Sequence, residues 1–304
     1  MKKSVDLFKN KVTVTMIALL CVLLWGSAFP AVKTGYQWFA IEGTDISSKL
    51  LFAGIRFFGA GVMDLILAFF VHRRLTRPGR GFFKAVGLLG IVQTFLQYVF
   101  FYIALSNMTG AKGSVVNAMG TFITVVLAHF LCENDRLDRR KVIGCLLGIT
   151  GVILININGD MGPVFSLTGD GLMLLAAVSF ALGNIISKKV SGGLDAMWLT
   201  GSQLTFGGAL LILSGVCTGG HLNVITGKGI ALMIYMSFLS AAAFTLWLQL
   251  LKNNSVGKIS MFSALIPVFG TLLSGIILGE NVFNTVSMLS LLCVSAGIYV
   301  INRK

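Results

Sequence analysis

Short polar breaks cut the chain into ten apolar runs, and this partition constrains the fold more than any other feature. Roughly 20 apolar residues cross a bilayer as a helix, which satisfies its own backbone N–H and C=O groups as lipid demands. The runs predict helices at 12–32, 50–71, 83–105, 113–132, 142–158, 170–188, 196–217, 229–251, 257–279 and 284–302. The mildest break is Ser106-Asn107-Met108-Thr109-Gly110, between the third and fourth. The first run follows Lys9 and Lys11 as a secretion signal would, but it is long enough to span, so it reads as a retained helix. The expected fold class is an all-α integral membrane protein of ten transmembrane helices, with the lipid bilayer as its partner.

Composition agrees, since 56% of residues are hydrophobic and only 12% charged, against about a quarter charged in soluble domains. The net charge of +13 raises nucleic-acid binding as a class. The basic residues sit in short clusters between apolar runs, with no basic helix face, so nucleic acid is not an expected partner. Of 24 Lys and Arg, 19 fall at the termini and in alternate loops. Only Lys33, Lys49, Lys112 and Lys228 fall in the other loops, and Arg56 lies inside a run. This asymmetry predicts cytoplasmic termini, a cytoplasmic loop at Arg73 to Arg80 and an external loop at 159–168. Cys21, Cys132, Cys145, Cys217 and Cys293 have no paired spacing and read as small buried hydrophobes. The three histidines form no ligand set, so no metal site, cofactor or enzyme chemistry is expected.

The two halves of the chain resemble each other. At an offset of 147, Leu131-Cys132-Glu133-Asn134 falls on Leu278-Gly279-Glu280-Asn281, Asn107 on Asn254, Gly110 on Gly257 and Arg56 on Gln203. Near the start of each half the offset is 155, pairing Trp25 with Phe180 and Lys33 with Lys188. Five helices per half is an odd number, so the halves would lie in opposite orientations, as inverted repeats. The division expected is 1–160 for helices 1 to 5 and 161–304 for helices 6 to 10.

The run Trp25-Gly26-Ser27-Ala28-Phe29-Pro30-Ala31-Val32-Lys33, Arg56-Phe57, Pro267, Leu278-Gly279-Glu280 and Gly297 together resemble the EamA-type carriers of the drug/metabolite transporter superfamily. The resemblance covers nearly the whole chain. It implies ten helices, both termini inside, and a cavity lined mainly by helices 1, 3, 4, 6, 8 and 9. It further implies a bacterial inner-membrane carrier of amino acids or other metabolites, commonly exported. Met119-Gly120 departs from the family's frequent proline, and Asp64 is not part of its pattern.

Polar residues inside the runs mark where a small-molecule substrate would sit. Gln93, Gln97 and Tyr98 fall mid-membrane on the third helix, the two amides one turn apart. Trp25, Asn184 and Trp247 add aromatic walls and a further amide. Ser114, Asn117, Thr121 and Thr124 form one stripe on the fourth helix, answered on the ninth by Ser260, Ser263, Pro267 and Ser274. For each hydroxyl the alternative is glue between helices. Pro30 and Pro267 are expected to break their helices, Pro267 freeing the carbonyl of Ser263. Arg56 suits a substrate carboxylate, snorkelling or a structural network of carbonyls. Asp64 lies about 12 Å along and about 80 degrees around from it, too far to pair. The substrate class read from these residues is a neutral or zwitterionic metabolite, amino acids foremost, with multidrug export or a non-transporting scaffold or lipid-handling role as alternatives. With Asp64 the one carboxylate well inside a run, obligatory proton coupling is not expected. The pairs Gly144/Gly148 and Gly275/Gly279 read as packing within the bundle.

Overall fold

Helix α1 (Lys11–Trp38) begins where the Asn10 side chain accepts hydrogen bonds from the N–H groups of Val12 and Thr13, filling two of the four donors that a helix start leaves open. In a computed structural model, which describes residues 8–72, 81–132, 136–157, 165–280 and 284–302, the remaining helices are α2 (Ile46–His72), α3 (Phe82–Ser106), α4 (Gly110–Leu131), α5 (Arg139–Ile157), α6 (Leu167–Val190), α7 (Ala196–Cys217), α8 (Gly227–Asn253), α9 (Val256–Leu278) and α10 (Thr285–Asn302). Eight of these are long and apolar enough to cross a membrane; α5 and α10, of 19 and 18 residues, fall outside that set and pack on each other. The chain is an all-helical membrane protein.

The expected helices are present and mostly longer than the runs that announced them. The mild break between the third and fourth is real: α3 ends at Ser106, and α4 begins after Thr109, whose hydroxyl caps the N–H of Lys112. Pro30 does not break its helix. Helix α1 runs through it, since one missing N–H is tolerated where neighbouring helices hold the segment. Pro267 does mark an interruption, a 3-10 turn over Met261–Leu265. The carbonyl of Ser263 is not freed there, because the tighter turn delivers the N–H of Ile266 to it. Its equivalent at the 147 offset, α4, pauses at Ala118 between Gly110–Asn117 and Met119–Leu131. Glu133, Asn134, Asn281 and the basic loop at 73–80 lie outside the described residues.

The helices pack in a pattern that repeats with a shift of five. Helix α2 lies against α7, and α5 against α10. Between these pairs, α1 packs on α8 and α9 as α6 packs on α3 and α4, and α4 meets α9. Lipid-type surface lies outside, with Ile66, Phe70, Ile276 and Leu292 exposed, and polar side chains such as Arg56, Asp64, Gln93 and Gln203 buried. That inside-out distribution is what a hydrocarbon surround imposes.

The α2–α7 contact rests on glycines at seven-residue intervals: Gly54 and Gly61 face Gly201, Gly208 and Gly215. A Cβ on Gly208 would strike the backbone of Phe57 and Phe58, and one on Gly215 the backbone of Ser47 and Leu51. Gly148 does serve packing, its missing Cβ admitting the Phe122 ring, and Gly144 offers its carbonyl against Gly297. Gly279 acts differently: at φ 68 it ends α9 in the left-handed conformation. Cys21 and Cys145 are buried as expected, whereas Cys217, at the end of α7, is exposed.

Candidate substrate cavity

Indole and phenyl rings form a layer across the bundle centre. Trp25 of α1 meets Phe180 of α6, Phe244 and Trp247 of α8 edge-on, with centroids 5.9, 5.5 and 4.9 Å away. Tyr98 of α3 lies 4.0 Å from Phe57 and 5.7 Å from Phe101. Edge-on packing directs the positive ring edge at a neighbour's negative face. Against this layer is a cavity, partly open to its surroundings, with about 450 Å³ of atom-free space counting that opening, lined by Trp25, Ala28, Phe29, Arg56, Gln97, Tyr98, Phe101, Asn117, Phe180, Phe244 and Ile266. Helices α1, α3, α4, α6, α8 and α9 supply this lining as the family resemblance implies, and α2 adds Arg56.

The interruptions position two of these residues. Asn117 is the last residue before α4 pauses at Ala118, and Ile266 the first after the 3-10 turn of α9. Discontinuous helices facing each other across a cavity are a recurrent way of building a transport site.

A second, smaller cavity of about 250 Å³ lies on the other side of Phe244, which lines both; Gln93, Ser187, Thr200, Gln203 and Trp247 line it. Gln93 and Gln97 therefore do not share one site. The intervening turn, Gly90–Leu96, is π-helical, and an i→i+5 turn inserts an extra residue that shifts the helix faces on either side. Gln93 accepts from the Ser187 hydroxyl at 3.4 Å, and Thr94 donates to Gln203 at 2.7 Å.

Of the other residues singled out in the sequence, Thr121 and Ser263 hydrogen-bond each other at 2.8 Å, joining α4 to α9. Ser114 contacts Thr271 across the same seam at 3.3 Å. These hydroxyls bond across the α4–α9 seam and are not among the lining of either cavity. Asn184 accepts from the indole N–H of Trp247 at 3.1 Å and so holds the aromatic layer from behind. Asp64 accepts from the Thr245 hydroxyl at 2.9 Å, tying α2 to α8 and lining neither cavity. Phe29, Phe101, Phe180, Phe244, Thr200 and Ser187 are not marked as cavity residues by the sequence. For Phe180 the signal was its pairing with Trp25 at the 155 offset; Gln203 was likewise marked by its pairing with Arg56.

The cavity wall carries unusual polar groups. Arg56, 1% exposed, donates from Nε to Ser240 Oγ at 2.9 Å and to the Met236 carbonyl at 3.3 Å, and from Nη1 to Tyr102 Oη at 3.1 Å. Its guanidinium stacks over the Phe57 ring, 4.8 Å from the centroid. Trp25 Nε1 and Gln97 Oε1 are buried with no partner among the described residues. Buried polar atoms nearly always have partners, so such atoms on a cavity wall point to a guest.

Charged side chains make contacts at both ends of the bundle. Where α1 ends, Lys33 donates to the Met108 carbonyl, Glu280 accepts from the N–H groups of Gly110 and Ala111 at 2.9 and 3.0 Å, and Lys112 pairs with Asp170 at 3.1 Å, both nearly fully buried. Where α1 begins, Lys188 donates to the carbonyls of Leu251 and Asn254 at 2.9 and 2.8 Å. Lys33 and Lys188, matched at the 155 offset, thus each cap the C-terminal end of a helix, α3 and α8.

A bundle of membrane-crossing helices around a partly polar cavity is the architecture of a solute transporter. The sequence profile of the EamA-like transporter family matches residues 13–157 and again 167–303, and the chain belongs to that family. This is a family of transporters, not of enzymes. The "Uncharacterized transporter YvbV" of Bacillus subtilis (strain 168) is 29% identical over 96% of this chain and 92% of its own. The "Probable amino-acid metabolite efflux pump" of Salmonella typhimurium is 26% identical over 93% of both chains, and the protein of the same description from Escherichia coli (strain K12) 26% over 94% and 93%. A solved crystal structure shares the fold with a TM-score of 0.72, covering 96% of this chain and 98% of that one at 17% identity.

Proposed function

We propose that the chain is a secondary carrier that moves a small neutral or zwitterionic metabolite, an amino acid foremost, out of a bacterial cell by alternating access. The observation that carries this reading is the central cavity, with two unpartnered polar atoms in its largely aromatic wall. The repeated packing pattern supports two inverted five-helix halves, able to exchange conformations and so open the cavity to either side in turn. Basic residues crowd the end where α1 begins, which supports placing that end and both termini in the cytoplasm of the inner membrane. Two relatives described as amino-acid metabolite efflux pumps support both the substrate class and the outward direction. Six aromatic rings in the cavity wall favour a second reading, export of varied apolar compounds.

Movement is independent of the proton gradient in this account. Asp64 lines neither cavity and is bonded by Thr245 of α8, whereas a coupling acid usually competes with substrate and faces the cavity. Purified protein in liposomes should exchange one or more of the common amino acids, equally well with and without an imposed pH gradient, and Asp64→Asn should behave as the parent. Uphill movement driven by that gradient and lost in Asp64→Asn would make Asp64 the proton carrier. Flux of a lipophilic dye without amino acids would select the multidrug reading, and no flux of any solute a scaffold or lipid-handling role.

A further inference from the structure

We infer that Arg56 is the carboxylate anchor of the central cavity, and that it restricts the carrier to solutes bearing one carboxylate; this rests on the carrier reading above. A guanidinium stays charged at every accessible pH, and an ion enclosed in protein needs a counter-charge or a full set of oriented dipoles. Arg56 has only neutral partners: one carbonyl, two hydroxyls and a ring face. Those bonds use Nε and one N–H of Nη1, and none of the guanidinium's hydrogen bonds found among the described residues comes from Nη2. Carboxylates that might have answered it are engaged elsewhere: Asp64 by Thr245, Asp170 by Lys112, Glu280 by the start of α4. The cavity thus carries one positive charge with no acid in its wall.

The two unpartnered atoms on the same wall complete the chemistry. Trp25 Nε1 is a donor and adds to Arg56 for a carboxylate, while Gln97 Oε1 is an acceptor and fits the N–H of an α-ammonium group. The remaining surface, Phe29, Phe101 and Phe180, takes an apolar side chain. A solute lacking the carboxylate leaves the arginine unanswered, and if it carries an amine it is also repelled. A second carboxylate finds no second cation.

The test uses the full-length parent protein with the common amino acids as probes, read by thermal stabilisation and by exchange in liposomes. The amino acid that binds most tightly is then compared with its own C-terminal amide and with the amine formed by removing its carboxyl group. Both should bind at least about tenfold more weakly, the loss expected of one charged hydrogen bond. Arg56→Gln should bind acid and amide alike, and Arg56→Lys should keep the preference at reduced affinity, because an ammonium retains the charge without the planar fork. Equal binding of acid and amide by the parent, with amino-acid exchange intact, would overturn the anchor and leave the carrier reading standing. An undiminished preference in Arg56→Gln would likewise overturn it. Exchange of no solute at all would remove the carrier reading and the anchor with it. The parent's acid-to-amide comparison stands whether or not either variant folds.

Discussion

Gly208→Leu should yield no monodisperse protein, whereas Gly87→Leu should purify like the parent. At Gly208 the space that a side chain needs is occupied by the backbone of Phe57 and Phe58, with Gly54 and Gly61 bringing α2 equally close along the same seam. A rotamer change cannot relieve a clash with main chain, so the helices must separate. Overpacking in a soluble core costs about 1–3 kcal/mol; here the cost should exceed that range, because separating α2 from α7 also forfeits the close van der Waals contact that drives helix association in lipid. Gly87 on α3 has nothing within 4 Å of its Cβ position. Size-exclusion profiles and melting temperatures of the two variants check this. Monodisperse Gly208→Leu with the parent's melting temperature would mean that the α2–α7 seam is not the tight contact described.

Gln97→Ala and Asn117→Ala should each lower the rate of exchange roughly tenfold while leaving the melting temperature near that of the parent. The argument turns on what the side chains already do. Gln97 Oε1 has no partner among the described residues, so truncation removes no hydrogen bond of its oxygen within the protein. Its worth is realised only against a solute, where a hydrogen bond to a charged group contributes about 1.5–3 kcal/mol. Asn117 lines the same cavity at the pause in α4. Thr121→Ala is the control: its hydroxyl bonds Ser263 rather than facing the cavity, so it should cost stability and spare exchange. Parental exchange in both amide variants would mean that solute binds elsewhere.

How far the sequence announced this arrangement differs between its levels. Apolar length places helices well because lipid imposes it, yet α1 runs six residues past its predicted end, to Trp38. Polar Thr34, Tyr36 and Gln37 look like a loop until Tyr36 Oη is found donating to the Tyr102 carbonyl across the bundle. Cavity residues were half legible. Trp25, Gln97, Tyr98, Asn117 and Arg56 meet at one cavity as residues too polar or too large for a lipid face. Gln93 lines a different cavity from Gln97, a separation the sequence does not announce because a π-helical turn has no signature in apolar periodicity. Phe29, Phe101, Phe180 and Phe244 are not assigned to a cavity from the sequence, because an aromatic ring reads the same whether it packs or lines a void. The seven-residue glycine spacing on α7 was present in the sequence, but only the contact with α2 distinguishes it from other glycines.

Alternating access itself is tested most directly by the side from which the cavity can be reached. Ala28 borders the cavity and is 5% exposed. On a cysteine-free background, Ala28→Cys should react with a membrane-impermeant thiol reagent both in intact cells and in inverted vesicles, and substrate should slow both reactions. Ser166→Cys and Arg77→Cys mark the two sides, the first labelled only from outside and the second only from the cytoplasm. Labelling of Ala28→Cys from one side alone, or from neither, would contradict a carrier that alternates; reversed labelling of the two markers would contradict the orientation on which export rests.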